Sequence, residues 1–317
     1  MKKLRSVPAA IDFYLTIRRQ LGFALLQEGW LLSTLADYAR RTHHRGPLSA
    51  ELVLHWAQLP QPADPLWWAR RLAVARQFAQ FWVAFDPRTQ VPPPGVFGPS
   101  HRRRPVHIYT PAQIAALLQA TTSLGPADGI RVATFKTLFG LLACTGLRIS
   151  EALNLRPKDF DATDRTLFVQ PAKFSPARRL PLKASASTAL SQYEQFCQRK
   201  VAQAVRPAFF LSGHGRPLTR DHAEAIFAQL RARLGWTKDP VPRLHDLRHT
   251  FAVRCLVGWN RQAGGVDAKI LALANYLGHR RVTDTYWYLS AIPQLLASSA
   301  ARFEQLTTAS PEGRRHV

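Results

Sequence analysis

The stretch that decides the fold is LHDLRHT, residues Leu244 to Thr250. Its histidine, His245, and its arginine, Arg248, are three positions apart, so on a helix they lie on one face and reach the same ligand. A guanidinium beside an imidazole suits an anion, because the cation binds the anion while the ring donates or accepts a proton. The stretch therefore predicts a helix that carries an anion site.

Other segments of the chain carry groups of the same kind. Upstream, the stretch TGLRISE places Arg148 just after a glycine turn. Downstream, the stretch LGH supplies His279, and Tyr288 supplies a phenol that can act as a nucleophile. Two arginines, two histidines and a tyrosine indicate a site for a phosphate group.

Together these residues resemble the active site of the tyrosine recombinases, the family of phage integrases and Xer proteins. The family pattern is an arginine in T-G-L-R-x-S-E, a lysine in a β-turn, then H-x-x-R, L-G-H and a tyrosine nine positions after that histidine. The matching positions in this chain are, in order, Arg148, Lys173, His245, Arg248, His279 and Tyr288. The resemblance covers residues 108 to 306, and residues 283–289 are more similar to transposon-borne recombinases than to chromosome-dimer resolvers.

The resemblance implies a mainly α fold in two domains. We expect an N-terminal helical core-binding domain of SAM-like type over residues 1–86 and a basic, proline-rich linker over 87–107. A mixed α/β catalytic domain with a small antiparallel sheet then spans 108–306, before a flexible tail over 307–317.

The resemblance also implies a reaction, which is site-specific cutting and rejoining of DNA through a 3′-phosphotyrosine. Arg148 and Arg248 bind the phosphodiester, Tyr288 attacks the phosphorus with help from the two histidines, and Lys173 protonates the leaving 5′ oxygen. We expect no cofactor, no metal and no ATP. The implied assembly is a homo-tetramer on two sites in double-stranded DNA, with related recombinases as further candidate subunits.

The net charge of the chain independently indicates that its binding partner is a polyanion. The 317 residues contain 43 Lys and Arg against 20 Asp and Glu, a formal net charge of +23 with a pI near 11.1. Such an excess repels itself in a compact fold, and nucleic acid is the partner that offsets it best. No apolar run is long enough to predict a membrane span, and the start MKKLR lacks the apolar stretch of a signal peptide. Three isolated cysteines favour reduced thiols, so we expect a cytoplasmic, nucleoid-associated protein.

Apolar residues recur at helical spacing along most of the chain. The predicted helices cover 11–19, 30–42, 49–58, 65–85, a segment opening at 110–111, 130–144, 149–155, 187–199, 220–234, 244–257, 267–277 and 293–306. Strand-like segments cover 160–169 and 179–182, with turn residues at 161–164, and Lys173 is predicted at the tip between two strands.

Basic side chains interrupt the apolar stripes of the N-terminal helices and crowd the linker. A solvated polar face is the ordinary explanation, but the net charge and the domain that follows favour phosphate contacts. The predicted DNA-binding residues are Arg40, Arg41, Arg45, Arg70, Arg71, Arg102, Arg103 and Arg104.

Three rival functions stay open at this point. His245, Asp246 and His249 resemble the H-E-x-x-H motif of zinc hydrolases, although Asp is shorter than Glu and Arg248 would place a cation beside the metal. A catalytically silent DNA-binding regulator of the same fold and a type IB topoisomerase are the others. Tyr286 also competes with Tyr288 as nucleophile, but residues two apart on a helix point about 200° from one another, so only one faces the phosphate.

Overall fold

The structure, a computed structural model, describes residues 6–59, 61, 63–100, 105–171, 176–201, 206–260 and 267–290. The chain divides into two compact units, Met1–Arg104 and Pro105–Val317. Within the described residues no helix is both long and apolar enough to cross a membrane.

The first unit is helical. Its helices are α1 (Val7–Gln20), α2 (Leu26–Arg41), α3 (Ala50–Ala57) and α4 (Pro65–Trp82). Side chains at their N-termini explain where they begin: Ser49 accepts a hydrogen bond from the amide of Leu52 at 3.2 Å, and Asp64 accepts one from Leu66 at 2.9 Å. Apolar faces of all four helices share one core, in which Trp56 and Phe78 are fully buried.

The second unit is mixed. Its helices are α5 (Pro111–Ala120), α6 (Ile130–Thr145), α7 (Ile149–Leu153), α8 (Ala184–Lys200), α9 (Arg220–Arg233), α10 (Asp246–Asn260), α11 (Asp267–Leu277) and α12 (Thr283–Ser290). Short 3₁₀ turns cover Thr121–Leu124 and Pro157–Asp159. Thr110 opens α5 with a capping box, in which its side chain accepts from the Gln113 amide and the Gln113 side chain accepts from the Thr110 amide.

Three short strands form one antiparallel sheet in the order β1 (Phe160–Asp161), β2 (Thr166–Val169) and β3 (Arg178–Pro181). The carboxylate of Asp161 shapes the first turn by accepting hydrogen bonds from the amides of Thr163 and Asp164, both at 2.9 Å. Val169 pairs with Arg178 at the end of the second hairpin. Lys173 belongs to the connection between β2 and β3, which lies outside the described residues.

The observed architecture confirms the predicted fold class, a mainly α protein with a helical N-terminal region and a small antiparallel sheet. The turn predicted at 161–164 separates β1 from β2 within the strand-like segment 160–169. One detail differs: the chain after His279 forms α12, a helix that periodicity did not single out. The helix predicted over 293–306 lies outside the described residues.

Helix α6 is the centre of the second unit. Phe135, Leu138 and Phe139 are fully buried, and the helix contacts α5, α8 and α10 on different sides. Its C-terminus delivers Gly146 and Arg148 next to α10, the helix that carries LHDLRHT. The site is therefore built on the best-buried helix of this unit.

Candidate active site

The first turn of α10 is held in place by its own acid. Asp246 is fully buried, and its carboxylate accepts hydrogen bonds from the Arg243 guanidinium at 2.8 and 3.2 Å and from the Arg243 amide at 2.9 Å. One turn later, the Thr250 hydroxyl donates to the Asp246 carbonyl at 2.8 Å and accepts from the amide of Tyr109 at 3.0 Å. These bonds fix the backbone that carries His245 and Arg248.

Arg248 is buried beneath the site. Its Nη1 donates to the Gly146 carbonyl at 2.7 Å and its Nη2 to the Leu277 carbonyl at 2.8 Å. Burial lowers the pKa of Arg248 to about 10, so the guanidinium stays charged at neutral pH. Because a guanidinium has five N–H donors, those two bonds leave further donors for an anion.

Arg148 lies beside Arg248 but is more open. It precedes α7, with Nη1 donating to Glu151 Oε1 at 2.9 Å and Nη2 to the Gly278 carbonyl at 3.2 Å. About a third of its side chain is exposed (32%), against 3% for Arg248. The structure thus brings the two predicted arginines together on the carbonyls of neighbouring residues, with Arg148 facing solvent.

Glu151 joins the arginines, a role that the sequence did not reveal. Its buried carboxylate also accepts two hydrogen bonds from Arg178, at 3.1 and 3.0 Å, and lies 4.0 Å from Arg248 Nη1. Burial opposes its ionisation, but the bonds from Arg178 and from the Arg148 amide outweigh this and lower the pKa of Glu151 to about 2. One carboxylate therefore offsets three clustered cations.

Arg178, the first residue of β3, is the other residue that the sequence analysis missed. Its Nε donates to the Tyr276 carbonyl at 2.7 Å, so it ties the sheet to the end of α11. The residue lies five positions after Lys173 in a basic stretch, and no spacing from the quoted motifs marks it. Its partner Glu151 is within the TGLRISE stretch, which is the one available signal.

The backbone conformation explains why glycine occupies position 146 in TGLRISE and position 278 in LGH. Gly146 ends α6 at φ +63°, and a Cβ there would lie 2.6 Å from Phe251 and 3.1 Å from Leu277. Gly278 ends α11 at φ +67°. Both turns are left-handed, and both present a carbonyl to an arginine of the site.

Tyr288 is brought to the same place by α12. Only 3% of its surface is exposed, and its Oη lies 3.0 Å from His249 Nδ1. Burial raises the pKa of Tyr288, while the nearby Arg248 lowers it. Tyr286, the competing tyrosine, is 46% exposed.

Two imidazoles, His249 and His279, contact the Tyr288 ring, and a third, His245, contacts His249. His279 lies nearly parallel to the Tyr288 ring, with centroids 6.3 Å apart, and its Nδ1 is 2.7 Å from the Thr285 hydroxyl. The His245 and His249 rings meet edge to face at 4.7 Å. Burial, reinforced by nearby arginines, lowers the pKa of His249 and of His279 to about 4. Both rings are therefore neutral at pH 7 and act as hydrogen-bonding groups.

Five of the six predicted catalytic residues thus form one cluster, and the sixth, Lys173, lies outside the described residues. The zinc alternative fits this geometry poorly, because the carboxylate of Asp246 is fully engaged by Arg243. Among the described residues no three His, Cys, Asp or Glu side chains form a group that could hold a metal ion.

The predicted DNA-binding arginines divide into three sets. Arg40, Arg41, Arg45 and Arg70 are exposed on the first unit, Arg40 in an ion pair with Asp37. The prediction for Arg71 needs correction: it is buried, with its guanidinium 4.0 Å above the Trp56 ring and Nη2 donating to the Trp56 carbonyl at 2.7 Å. A side chain held inside the core does not reach a phosphate. Arg102, Arg103 and Arg104 lie outside the described residues.

Comparison with known proteins identifies the family of the chain. Residues 108–294 match the phage integrase family. The chain belongs to this family. It is 36% identical over 305 residues to the candidate integrase/recombinase y4rB of Sinorhizobium fredii, covering 93% of this chain and 96% of that one. It is 32% identical over 238 residues to the tyrosine recombinase XerD of Mycobacterium leprae, covering 72% and 70% of the two chains.

Two solved structures share the fold of this chain. The Tn1549 transposon integrase in complex with transposon right end DNA superposes with a TM-score of 0.70 at 18% identity, covering 95% of this recombinase and 99% of that chain. A lambda integrase dimer bound to a core site gives a TM-score of 0.62 at 15% identity, covering 88% and 76% of the two chains. The chain is thus a tyrosine recombinase, an enzyme that acts on DNA.

Proposed function

We propose that this recombinase cuts a DNA strand by attack of Tyr288 Oη on a phosphodiester held by Arg148 and Arg248, which forms a 3′-phosphotyrosine. One observation carries the proposal. The two guanidiniums donate to the carbonyls of adjacent residues, Leu277 and Gly278, and the chain runs from there through His279 to Tyr288. The cations and the phenol thus belong to one tightly connected cluster.

The two arginines stabilise the negative charge of the transition state. As phosphorus becomes five-coordinate, negative charge builds on the non-bridging oxygens, and fixed guanidiniums bind that charge more strongly than the ground state. Arg248 is prepositioned by its main-chain partners, and Arg148, the more exposed of the two, meets the incoming phosphate. Because these cations stabilise the charge, the proposed mechanism uses no metal ion.

The remaining steps balance without ATP. The Tyr288 oxygen forms a bond to phosphorus as the bond to the 5′ oxygen breaks, and Lys173 gives that oxygen a proton. The phosphotyrosine keeps the bond energy, so a 5′ hydroxyl of a partner strand completes the exchange by the reverse displacement. General acid catalysis of this kind contributes about 10²–10⁴-fold.

DNA contacts and assembly complete the proposal. We assign a core-binding domain to residues 1–86, a basic linker to 87–107, a catalytic domain to 108–306 and a tail to 307–317. The exposed arginines of the first unit bind phosphates of double-stranded DNA. Four copies act on two DNA sites, two of them active at a time, within the cytoplasm at the nucleoid. The likeness in fold to a transposon integrase supports a mobile element as the carrier of this recombinase.

Covalent trapping tests the proposed nucleophile. The purified protein is incubated with duplexes from DNA flanking its own gene, and the DNA ends held covalently are sequenced. We expect Tyr288→Phe to abolish the adduct while DNA binding stays within a few-fold, because the substitution removes one hydroxyl from a buried ring. Tyr286→Phe is the matched control and keeps the adduct.

Three other outcomes of this experiment would change the assignment. Nucleotide mass mapped to Tyr286 would overturn the assignment of the nucleophile. Binding without any adduct would indicate a catalytically silent regulator. Relaxation of a supercoiled plasmid that lacks the flanking sites would instead indicate a topoisomerase.

A further inference from the structure

His249 contacts the phenol of Tyr288, although no part of the proposed mechanism uses it. The His249 Nδ1 lies 3.0 Å from Tyr288 Oη, a normal hydrogen-bond distance. In the neutral ring with its proton on Nε2, the phenol donates and Nδ1 accepts. In that tautomer the Tyr288 hydroxyl, the proposed nucleophile, points its proton at the Nδ1 nitrogen.

The neighbours of His249 hold its ring in this orientation. His245 meets it edge to face at 4.7 Å and Trp287 at 5.6 Å, while the Tyr288 ring lies at 5.5 Å. These contacts come from the start of α10 and from α12. The imidazole, carried by the same helix as Arg248, thus packs against α12, the helix that carries the tyrosine.

We propose that His249 is a catalytic residue, the general base that takes the Tyr288 proton as the phenol attacks phosphorus and returns it when the phosphotyrosine is resolved. This inference rests on the proposed function, because it takes Tyr288 as the nucleophile. It gives the phenol, which is mostly protonated at neutral pH, a route to react without prior ionisation.

The proton transfer balances in both directions. On attack, the O–H bond of Tyr288 breaks, an N–H bond forms at His249 Nδ1, and the tyrosine oxygen bonds to phosphorus as the 5′ oxygen leaves. On resolution, a 5′ hydroxyl gives its proton to Lys173 and displaces the tyrosine oxygen, which recovers its own proton from the imidazolium. His249 is therefore regenerated with each strand exchange.

The other two histidines are placed differently. His279 has its Nδ1 engaged by the Thr285 hydroxyl at 2.7 Å and lies nearly parallel to the tyrosine ring. His245 is exposed and meets the ring of His249. Of the imidazoles described, His249 is the one with a nitrogen within hydrogen-bond distance of the phenol.

Burial and nearby cations keep His249 in its neutral form, so its Nδ1 lone pair is available to the phenol. Burial, together with Arg243, Arg248 and His279, lowers its pKa to about 4, so the ring is unprotonated at neutral pH. A bound phosphodiester adds negative charge next to the same arginines, which favours the imidazolium. The base thus gains strength when the substrate arrives.

The test separates a base from a residue that only orients the tyrosine. Single-turnover adduct formation is measured from about pH 6 to about pH 9 on a DNA whose scissile 5′ oxygen is sulfur, which leaves without a proton and removes the need for an acid. His249→Asn keeps a hydrogen-bond acceptor near the phenol but cannot take its proton. His222→Asn, at a half-buried histidine on α9 whose ring contacts Phe135, is the control.

In the wild-type protein we expect a rate that is flat over this range, because the base is already unprotonated. In His249→Asn the rate should fall by about 10²–10⁴-fold and then rise about tenfold per pH unit, since only ionised phenol reacts. Adding imidazole to His249→Ala should restore part of the rate in proportion to its free base.

Two results would overturn the inference. A wild-type rate in His249→Asn means that no base is needed at this position, and a reduced but flat profile means that His249 only orients the tyrosine. An adduct on a tyrosine other than Tyr288 in the wild-type protein refutes the proposed function itself, which distinguishes that failure from this one.

Discussion

At the scale of single residues, the site depends on Glu151. Its carboxylate is 2% exposed and contacts three arginines, of which Arg148 and Arg248 are the proposed phosphate ligands. Without that negative charge, clustered guanidiniums would repel one another in a poorly solvated place. Glu151 thus makes it possible to hold two cations side by side before any phosphate is bound.

Neutralising this carboxylate should therefore destabilise the fold. Glu151→Gln keeps the shape but removes the charge, and loss of one partner from a buried ion pair costs about 3–5 kcal/mol. We expect urea unfolding to report a decrease of that size. Glu224→Gln is the matched control, because Glu224 is 47% exposed in its pair with Arg220 and exposed helical pairs contribute about 0.3–0.5 kcal/mol. Equal decreases in the two variants would contradict this role of Glu151.

At the scale of elements, the junction between α6 and α7 sets the position of both arginines. Gly146 ends one helix at φ +63°, its carbonyl accepts from Arg248, and Arg148 follows two residues later. Phe251 of α10 fills the space where a side chain at position 146 would lie. At position 146 there is therefore no space for a side chain.

Gly146→Ala should therefore displace α10 and weaken the site. A left-handed alanine costs about 1–2 kcal/mol, and the clash with Phe251 should add about 1–3 kcal/mol. Gly235→Ala isolates the clash, since Gly235 has a similar φ of +67° but open space around it. We expect unfolding measurements to show a clearly larger destabilisation for Gly146→Ala, with slower adduct formation in that variant alone. Equal destabilisation in the two variants would mean that α10 accommodates the added methyl group with little strain.

Local signals in the sequence predicted most of the elements. The predicted helix starts at residue 65 and at 110–111 are confirmed by α4 and α5, which begin at Pro65 and Pro111. The helix α12 escaped notice because TDTYWYLS mixes polar and aromatic residues in a short segment without a clear apolar stripe. Periodicity reports which face is buried, and in α12 the buried positions include the polar residue Thr285 as well as Tyr288, so no apolar stripe marks that face.

Motif spacing predicted the site residues but not the groups to which they hydrogen-bond. The structure places Arg148, Arg248 and Tyr288 together, while their catalytic roles stay predictions. The bond between Arg178 and Glu151 joins residues 27 positions apart, and the acceptors for Arg248 are main-chain carbonyls. Neither kind of interaction leaves a pattern in one sequence, because any residue type supplies a carbonyl.

At the scale of the whole molecule, a net charge of +23 should appear as a strong dependence of DNA affinity on salt. The logarithm of affinity falls by about 0.9 for each phosphate neutralised, per unit of the logarithm of salt concentration. Arg41, Arg45 and Arg70 are exposed on the first unit, whereas Arg71 is buried against Trp56. We therefore expect the exposed arginines, but not the buried one, to contribute to DNA affinity.

Replacing Arg41, Arg45 and Arg70 with glutamine should lower the salt slope by about 0.9 for each phosphate that the variant no longer neutralises. Arg71→Gln should leave the slope unchanged and reduce the unfolding free energy instead, since it removes a buried hydrogen bond and a cation–π interaction. Fluorescence anisotropy across a salt series measures both slopes. An unchanged slope in the triple variant would mean that these side chains do not touch DNA.

The carbonyls that hold Arg148, Arg178 and Arg248 come from the backbone of Gly146 and of residues 276–278. A backbone oxygen is present whatever side chain its residue carries, so the acceptors at Tyr276 and Leu277 do not depend on residue type. Gly146 and Gly278 differ, because their left-handed φ angles favour glycine. Mutational drift near the end of α11 can then alter packing and surface while leaving these acceptors in place. The hydrogen-bond acceptors of the arginine cluster therefore constrain the backbone of Tyr276 and Leu277 more than their side chains.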